Sequence, residues 1–248
     1  MNIEPYLHRI NFHKSPQVSK EVLFELQRNH LLHVPFENLD IHYDRKISLE
    51  VSNIYKKIVV DKRGGFCYEL NGLFFHLLKE IGFNSKLISA RVYENGTYYP
   101  EFDHLAIVVH LNNEEYLVDV GFGKFSLEPL KIEMGKQIND SFGYFQFDKY
   151  DLDYFRINEL KNKELAPVYI FKTKARELSE FKERCEYNQT SEHSHFTQKK
   201  LISIVNIDGR VTLNNEQLKI THSGVEKVIQ FKKRDFEKKL KEYFNIEM

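Results

Sequence analysis

Apolar positions in the first third of the chain recur at helical spacing. Val22, Leu23, Leu26, His30 and Leu31 form one stripe, with Ser19 placed to cap it and Pro35 to close it. Ser48 is placed to cap a short helix through Ile54 and Ile58. A third stripe, Leu70, Leu73, Phe74, Leu77, Leu78 and Ile81, starts near Cys67 and stops at Gly82. From Lys86 the period becomes that of strands. Lys86–Tyr93 reads as extended and Glu94-Asn95-Gly96 as a hairpin turn. His104–Leu111 is a strong strand, with Tyr116–Val120 as its partner across Asn112-Asn113-Glu114. Further strands are expected at Tyr144–Tyr150, Tyr154–Ile157 and Val168–Lys174.

The last third is mixed. Glu177–Tyr187 reads as helix, and Leu201–Ile207 with Arg210–Leu213 as a hairpin around Asp208-Gly209. Leu218–His222 adds a strand. Val225–Phe244 is expected as an amphipathic helix with Val228, Ile229, Phe236, Leu240 and Phe244 on one side. The pattern predicts an α+β protein in three parts. These are a helical bundle over 1–83, an antiparallel β-barrel over 84–188 and an α/β lid over 189–248.

Composition narrows the function classes. A chain of 248 residues, 42% hydrophobic and 29% charged, is that of an ordinary soluble protein. Twenty Phe and 14 Tyr suit a filled core or apolar pockets for flat molecules. Lys+Arg and Asp+Glu both total 36, so nothing calls for nucleic acid or an acidic membrane. The basic run Lys232-Lys233-Arg234 to Lys241 is interleaved with Asp235 and Glu237 and reads as a solvated helix face. No signal-peptide pattern opens the chain, and no apolar run approaches about 18 residues. With only Cys67 and Cys185, far apart and without CxxC spacing, the expectation is a cytoplasmic protein with free thiols and no metal site. His193-Ser194-His195 lacks acidic or thiol companions and reads as a surface loop.

The candidate chemistry centres on Cys67. In Arg63-Gly64-Gly65-Phe66-Cys67, the glycines are expected to make a positive-φ turn that sets the thiol at a helix N-terminus. Helix-end N–H groups and Arg63 favour the anion there, although a full thiolate needs a histidine partner. A buried, inert cysteine is the alternative. His104 heads the strongest strand, and Asp119 lies near the end of the next. With the hairpin centre near residues 111–112, His104 and Asp119 fall opposite each other, so the carboxylate can orient the imidazole. A turn carboxylate making local backbone bonds is the other reading of Asp119.

These residues resemble the arylamine N-acetyltransferases. The resemblance rests on His33-Val34-Pro35-Phe36-Glu37-Asn38-Leu39, on Arg63-Gly64-Gly65-Phe66-Cys67-Tyr68-Glu69-Leu70-Asn71, on His104 at the head of its strand, and on Val118-Asp119-Val120-Gly121-Phe122-Gly123. Ser194-His195-Phe196-Thr197 adds to it, so it spans nearly the whole chain. It implies the same three-part fold, with a cysteine-protease-like catalytic core. It also implies a ping-pong transfer in which Cys67 takes acetyl from acetyl-CoA, a co-substrate and not a bound cofactor. An arylamine, arylhydrazine or N-hydroxyarylamine then accepts it. His104 would act as base and Asp119 as its orienter, Glu37 and Arg63 as a buried supporting pair, and Phe36, Phe122 and Phe196 as the aryl pocket. Ordinary core is the other reading of each, and for Phe36 the two weigh equally. Gly123 and Lys124 would meet the CoA, Lys124 standing where the family often has glycine. A monomer or weak homo-oligomer is expected. An amide synthase of the same fold acting on a carrier-bound acyl chain, a cysteine hydrolase, a transglutaminase-like enzyme and a non-enzymatic binding protein remain alternatives.

Overall fold

The computed structural model describes residues 1–248. Its helices are α1 (Glu4–Arg9), α2 (Lys20–His33), α3 (Val51–Tyr55), α4 (Cys67–Ile81), α5 (Lys182–Thr190), α6 (His195–Gln198) and α7 (Phe236–Phe244). The first strands are β1 (Phe36–Glu37), β2 (Asn84–Glu94), β3 (Thr97–Tyr98), β4 (His104–Leu111), β5 (Glu114–Val118), β6 (Leu130–Lys131) and β7 (Gln137–Asp140). There follow β8 (Gly143–Lys149), β9 (Phe155–Lys161), β10 (Glu164–Phe171), β11 (Leu201–Asn206), β12 (Gly209–Asn214), β13 (Gln217–His222) and β14 (Val225–Gln230).

The Ser19 hydroxyl accepts the Val22 N–H and caps α2. The cap of α3 is Glu50, not Ser48; the Ser48 hydroxyl instead accepts the Glu50 N–H and the Asn53 side-chain amide. A π-turn over Lys56–Val60 continues α3. Gly82 ends α4 at φ +107°, where a side chain is strained. The buried face of α4 is largely apolar, with Glu69 and Asn71 its buried polar residues, and it packs on β2 and β4 within a core that includes Leu26, Leu70, Phe74, Leu105 and Ile107.

One sheet runs β6-β5-β4-β2-β10-β9-β8-β7, with β3 paired to β2. It wraps a second core of Ile88, Phe125, Phe145, Phe147 and Tyr169 into a nearly closed barrel. Its two edges are brought together by Asp140, at the end of β7. That carboxylate accepts the N–H groups of Leu127 and Glu128, just before β6. The second sheet runs β1-β11-β12-β13-β14, so two residues from the helical region form an edge of the C-terminal sheet. Leu213 of β12 and Leu218 of β13 pack with Phe236 and Leu240 of α7 in a third core.

Two further sequence expectations change in this part of the chain. Val225–Phe244 is not one helix. Ser223 and Gly224 adopt φ of 47° and 78°, a two-residue turn that folds Val225–Gln230 back on β13 as a strand. Only Phe236–Phe244 is α-helical. The β4–β5 hairpin also turns one residue later than expected. Asn112 and Asn113 hold φ of 52° and 60°, Leu111 faces Glu114, and Ile107 faces Val118. His104 is therefore paired with Ala90 of β2 and is not opposite Asp119, which lies past the end of β5. The position opposite His104 by this register is Gly121, two residues on from Asp119. A two-residue offset preserves the face of the sheet.

Candidate active site

Phe66 is the extended N-cap residue of α4, and Cys67 is its first helical residue. Glu69 reaches back so that Oε2 accepts the Phe66 N–H at 3.1 Å. Gly64 and Gly65 do not make the expected positive-φ turn; the left-handed residue is Lys62, at φ 54°. They serve close packing instead. A β-carbon on Gly64 would lie 2.1 Å from the Pro35 carbonyl oxygen, and one on Gly65 would lie 2.9 Å from Glu69 Cβ.

The loop before Cys67 is anchored by buried charges. Arg63 Nη2 donates to Glu37 Oε1 at 2.7 Å and to Asp40 Oδ1 at 3.0 Å. Lys57 Nζ lies 2.8 Å from Asp40 Oδ2 and 2.9 Å from Glu69 Oε1. Asp40, Lys57 and Glu69 were missed in the sequence because they share no spacing pattern. Burial pushes Glu69 up to about 7, against the pull of Lys57. The Arg63 guanidinium is thus committed to Glu37 and Asp40 and does not serve as the cationic neighbour of the thiol.

His104 and Asp119 meet on the opposite wall. Asp119 Oδ2 accepts from His104 Nε2 at 2.7 Å and from the Tyr169 hydroxyl at 3.2 Å. Asp119 Oδ1 accepts from Asn71 Nδ2 at 2.8 Å and from the Gly121 N–H at 2.9 Å. Because a carboxylate only accepts, Nε2 carries the ring proton, and Nδ1 of the neutral ring is the free acceptor. Asn71, one helical turn beyond Cys67, ties the two walls by also bonding the Leu105 carbonyl and the Val120 N–H. Gly121 lets the post-Asp119 loop lie on the helix end. A β-carbon there would sit 2.8 Å from Cys67 Cα. The Tyr68 hydroxyl donates toward the Phe102 and Asp103 carbonyls at 2.8 and 3.0 Å, securing the turn that leads into His104. Phe102 holds φ 64° in that turn.

The thiol does not sit where it ionises unaided. Burial pushes the Cys67 thiol well up, and Asp103 and Asp119 add to this, while the Leu105 N–H opposes it. The helix end alone therefore does not hold a thiolate.

Cys67 and His104 line one cavity of about 650 Å³. Phe36, Phe122 and Phe196 also line it, as do Gly123 and the exposed Lys124. Phe196 packs edge-on against Phe66 at 5.9 Å between centroids, and Phe122 edge-on against His104 at 5.1 Å. His195 lies at the rim. Cys67 and Cys185 are both free. No group of three or more His, Cys, Asp or Glu side chains is placed to hold a metal ion, and no helix is long and apolar enough to cross a membrane.

Comparison with known proteins gives the same picture along the chain. The family model described as N-acetyltransferase matches residues 20–248. The pineal gland arylamine N-acetyltransferase isozyme NAT-3 of Gallus gallus is 32% identical, over 99% of this chain and 94% of its own. The solved structure of the Mycobacterium marinum arylamine N-acetyltransferase in complex with CoA superposes with a TM-score of 0.89 at 26% identity, covering 99% of this chain and 93% of that one. A Bacillus cereus arylamine N-acetyltransferase, described as having a Cys-His-Glu catalytic triad, gives 0.90 at 26% identity over 99% and 98%. Its third residue is a Glu, where the carboxylate on His104 here is Asp119. On the match over residues 20–248 and the near-full-length similarity, the chain belongs to the arylamine N-acetyltransferase family.

Proposed function

We propose that this chain transfers acetyl from acetyl-CoA to an arylamine, arylhydrazine or N-hydroxyarylamine through an acetyl-Cys67 intermediate. The observation that carries this reading is the shared cavity of Cys67 and His104, with Asp119 bonded to the far side of the imidazole. Nδ1 of His104 takes the thiol proton as sulfur attacks the thioester carbonyl. The product is a tetrahedral intermediate beside an imidazolium, which the Asp119 carboxylate stabilises. The Cys67 N–H, free at its helix end, is a donor for the developing oxyanion. Collapse expels the CoA thiolate, which takes the proton from His104. The amine then attacks acetyl-Cys67, His104 removes the amine proton, and the thiol is restored. Burial keeps the resting sulfur protonated, so ionisation is coupled to attack.

In this reading the layout is cysteine-protease-like, with the thiol on a helix of residues 1–83 and its partners on the barrel of 84–188. Residues 189–248 form the lid. Phe36, Phe122 and Phe196 grip the aryl ring, Glu37 and Arg63 fix the loop before Cys67, and Gly123 and Lys124 meet the CoA. The enzyme acts as a monomer or weak homo-oligomer in the cytoplasm, where free thiols such as Cys67 and Cys185 persist. Cys67→Ala is expected to abolish transfer while near-UV circular dichroism stays native. Substantial turnover by purified Cys67→Ala protein would end the mechanism.

A further inference from the structure

Arg210, at the start of β12, is an embedded cation of the cleft wall that has no carboxylate partner. Its Nη1 donates to Ser203 Oγ at 3.0 Å and its Nη2 to the Gly123 carbonyl at 2.5 Å. Ser203 Oγ is itself held by Thr212 Oγ1 at 2.8 Å, so the guanidinium sits on a fixed base. A guanidinium has five N–H donors, and the protein occupies few of them here. Arg9 shows what a purely structural arginine looks like in the same chain. It too lacks a carboxylate, but its head is spent on the carbonyls of Ile58, His33, Lys62 and Arg63. Arg210 instead lines the cavity that Cys67 lines. Burial pulls it down to about 10 with no anion to push it back, which leaves it a cation at neutral pH.

The surroundings indicate which group it is built to meet. Lys124 follows the Gly123 carbonyl that Arg210 holds, lines the same cavity, and makes no ion pair. The other lysine of this wall, Lys219, is already paired with Glu226 at 2.8 Å. The carboxylates that line the cavity are already engaged, Glu94 by the Tyr99 hydroxyl, Asp103 by Arg184 at 2.6 Å and Glu226 by Lys219. The cavity therefore holds two cations without an ion pair, Arg210 from the lid and Lys124 from the barrel loop it holds. Two adjacent cations suit the paired charges of a diphosphate, whereas an arylamine carries no obligatory anion. A guanidinium also meets phosphate oxygens through parallel N–H bonds.

We propose that Arg210, with Lys124 beside it, is the subsite that takes phosphate oxygens of the acyl donor. This rests on the reading of the chain as an acyltransferase that uses a CoA thioester. The test compares acetyl-CoA with acetyl-pantetheine, which has the same thioester arm and no diphosphate, on wild-type and Arg210→Gln protein. The expected result is a loss in kcat/KM for acetyl-CoA of about 10- to 100-fold, carried by KM, with acetyl-pantetheine unaffected and partial rescue by Arg210→Lys. Equal losses with both donors, no loss, or a loss confined to carboxylate-bearing amines such as an aminobenzoate would overturn it. Calorimetric titration with inorganic diphosphate decides the subsite independently of turnover. Binding to wild-type protein that weakens in Arg210→Gln supports it, and absent or equal binding sinks it. If neither thioester acylates Cys67, the catalytic reading falls while the titration still decides the subsite.

Discussion

Asp119→Asn changes one oxygen into an amide nitrogen at the point where four donors converge. Asparagine keeps a single acceptor oxygen. Turned toward His104 and Tyr169, it sets its NH2 against the Asn71 and Gly121 donors. Turned the other way, its NH2 faces Nε2, and the ring must carry its proton on Nδ1, the atom that has to accept from the thiol. Each buried donor left unpaired costs about 1–3 kcal/mol. Loss of a unit charge at about 4 Å from the forming imidazolium costs about 4 kcal/mol at an effective dielectric of about 20. These effects overlap, so the acylation barrier is expected to rise by about 3–5 kcal/mol, or about 10²- to 10⁴-fold in rate. Single-turnover acylation, followed by release of the CoA thiol, reads this directly, and near-UV circular dichroism checks the fold. A native-like Asp119→Asn protein acylated within about five-fold of the wild-type rate, a difference of about 1 kcal/mol, would refute the role given to the carboxylate.

The buried charge network makes two further predictions. Arg63→Met leaves Glu37 and Asp40 to share Lys57 in a water-excluded site, and is expected to lower unfolding stability in urea by about 3–5 kcal/mol. A loss below about 1 kcal/mol contradicts a buried pair. Glu69 is raised from 4.5 to about 7, so between those pH values the folded chain binds more protons than the unfolded one. The stability it contributes is present below pH 4.5 and lost as pH rises through 7. Urea titrations should show wild-type stability falling relative to Glu69→Gln across that window; a flat or rising difference contradicts the assignment.

Much of the candidate site was legible because it is local. The glycine pair, the cysteine and the helical stripe sit within one segment, and His104 heads an unbroken apolar strand. Gly64 and Gly65 were marked correctly as special, but for the wrong reason. Their lack of Cβ admits Pro35 and Glu69, a tertiary contact invisible in the segment itself. Register failed by one residue because the left-handed pair that makes the β4–β5 turn is Asn112-Asn113, which centres the hairpin between them and not near residues 111–112. The faces survived because Asp119 is displaced by two. Val225–Gln230 misled because Val225, Val228 and Ile229 fit helical spacing, while the Ser223-Gly224 turn and pairing with β13 decided the outcome. Asp40 and Lys57 could not be read at all, since only folding brings them to Arg63 and Glu69. The direction in which burial drives the Cys67 thiol was likewise hidden, because it depends on Asp103 and on enclosure by the barrel.

Every step proposed for the cleft requires that Cys67 carry the acyl group. Incubation with acetyl-CoA alone, followed by intact-protein and peptide mass spectrometry, tests it most directly. One acetyl group per chain is expected, on the Cys67 peptide, discharged when an arylamine is added. A preparation that turns over yet never shows this adduct would contradict it.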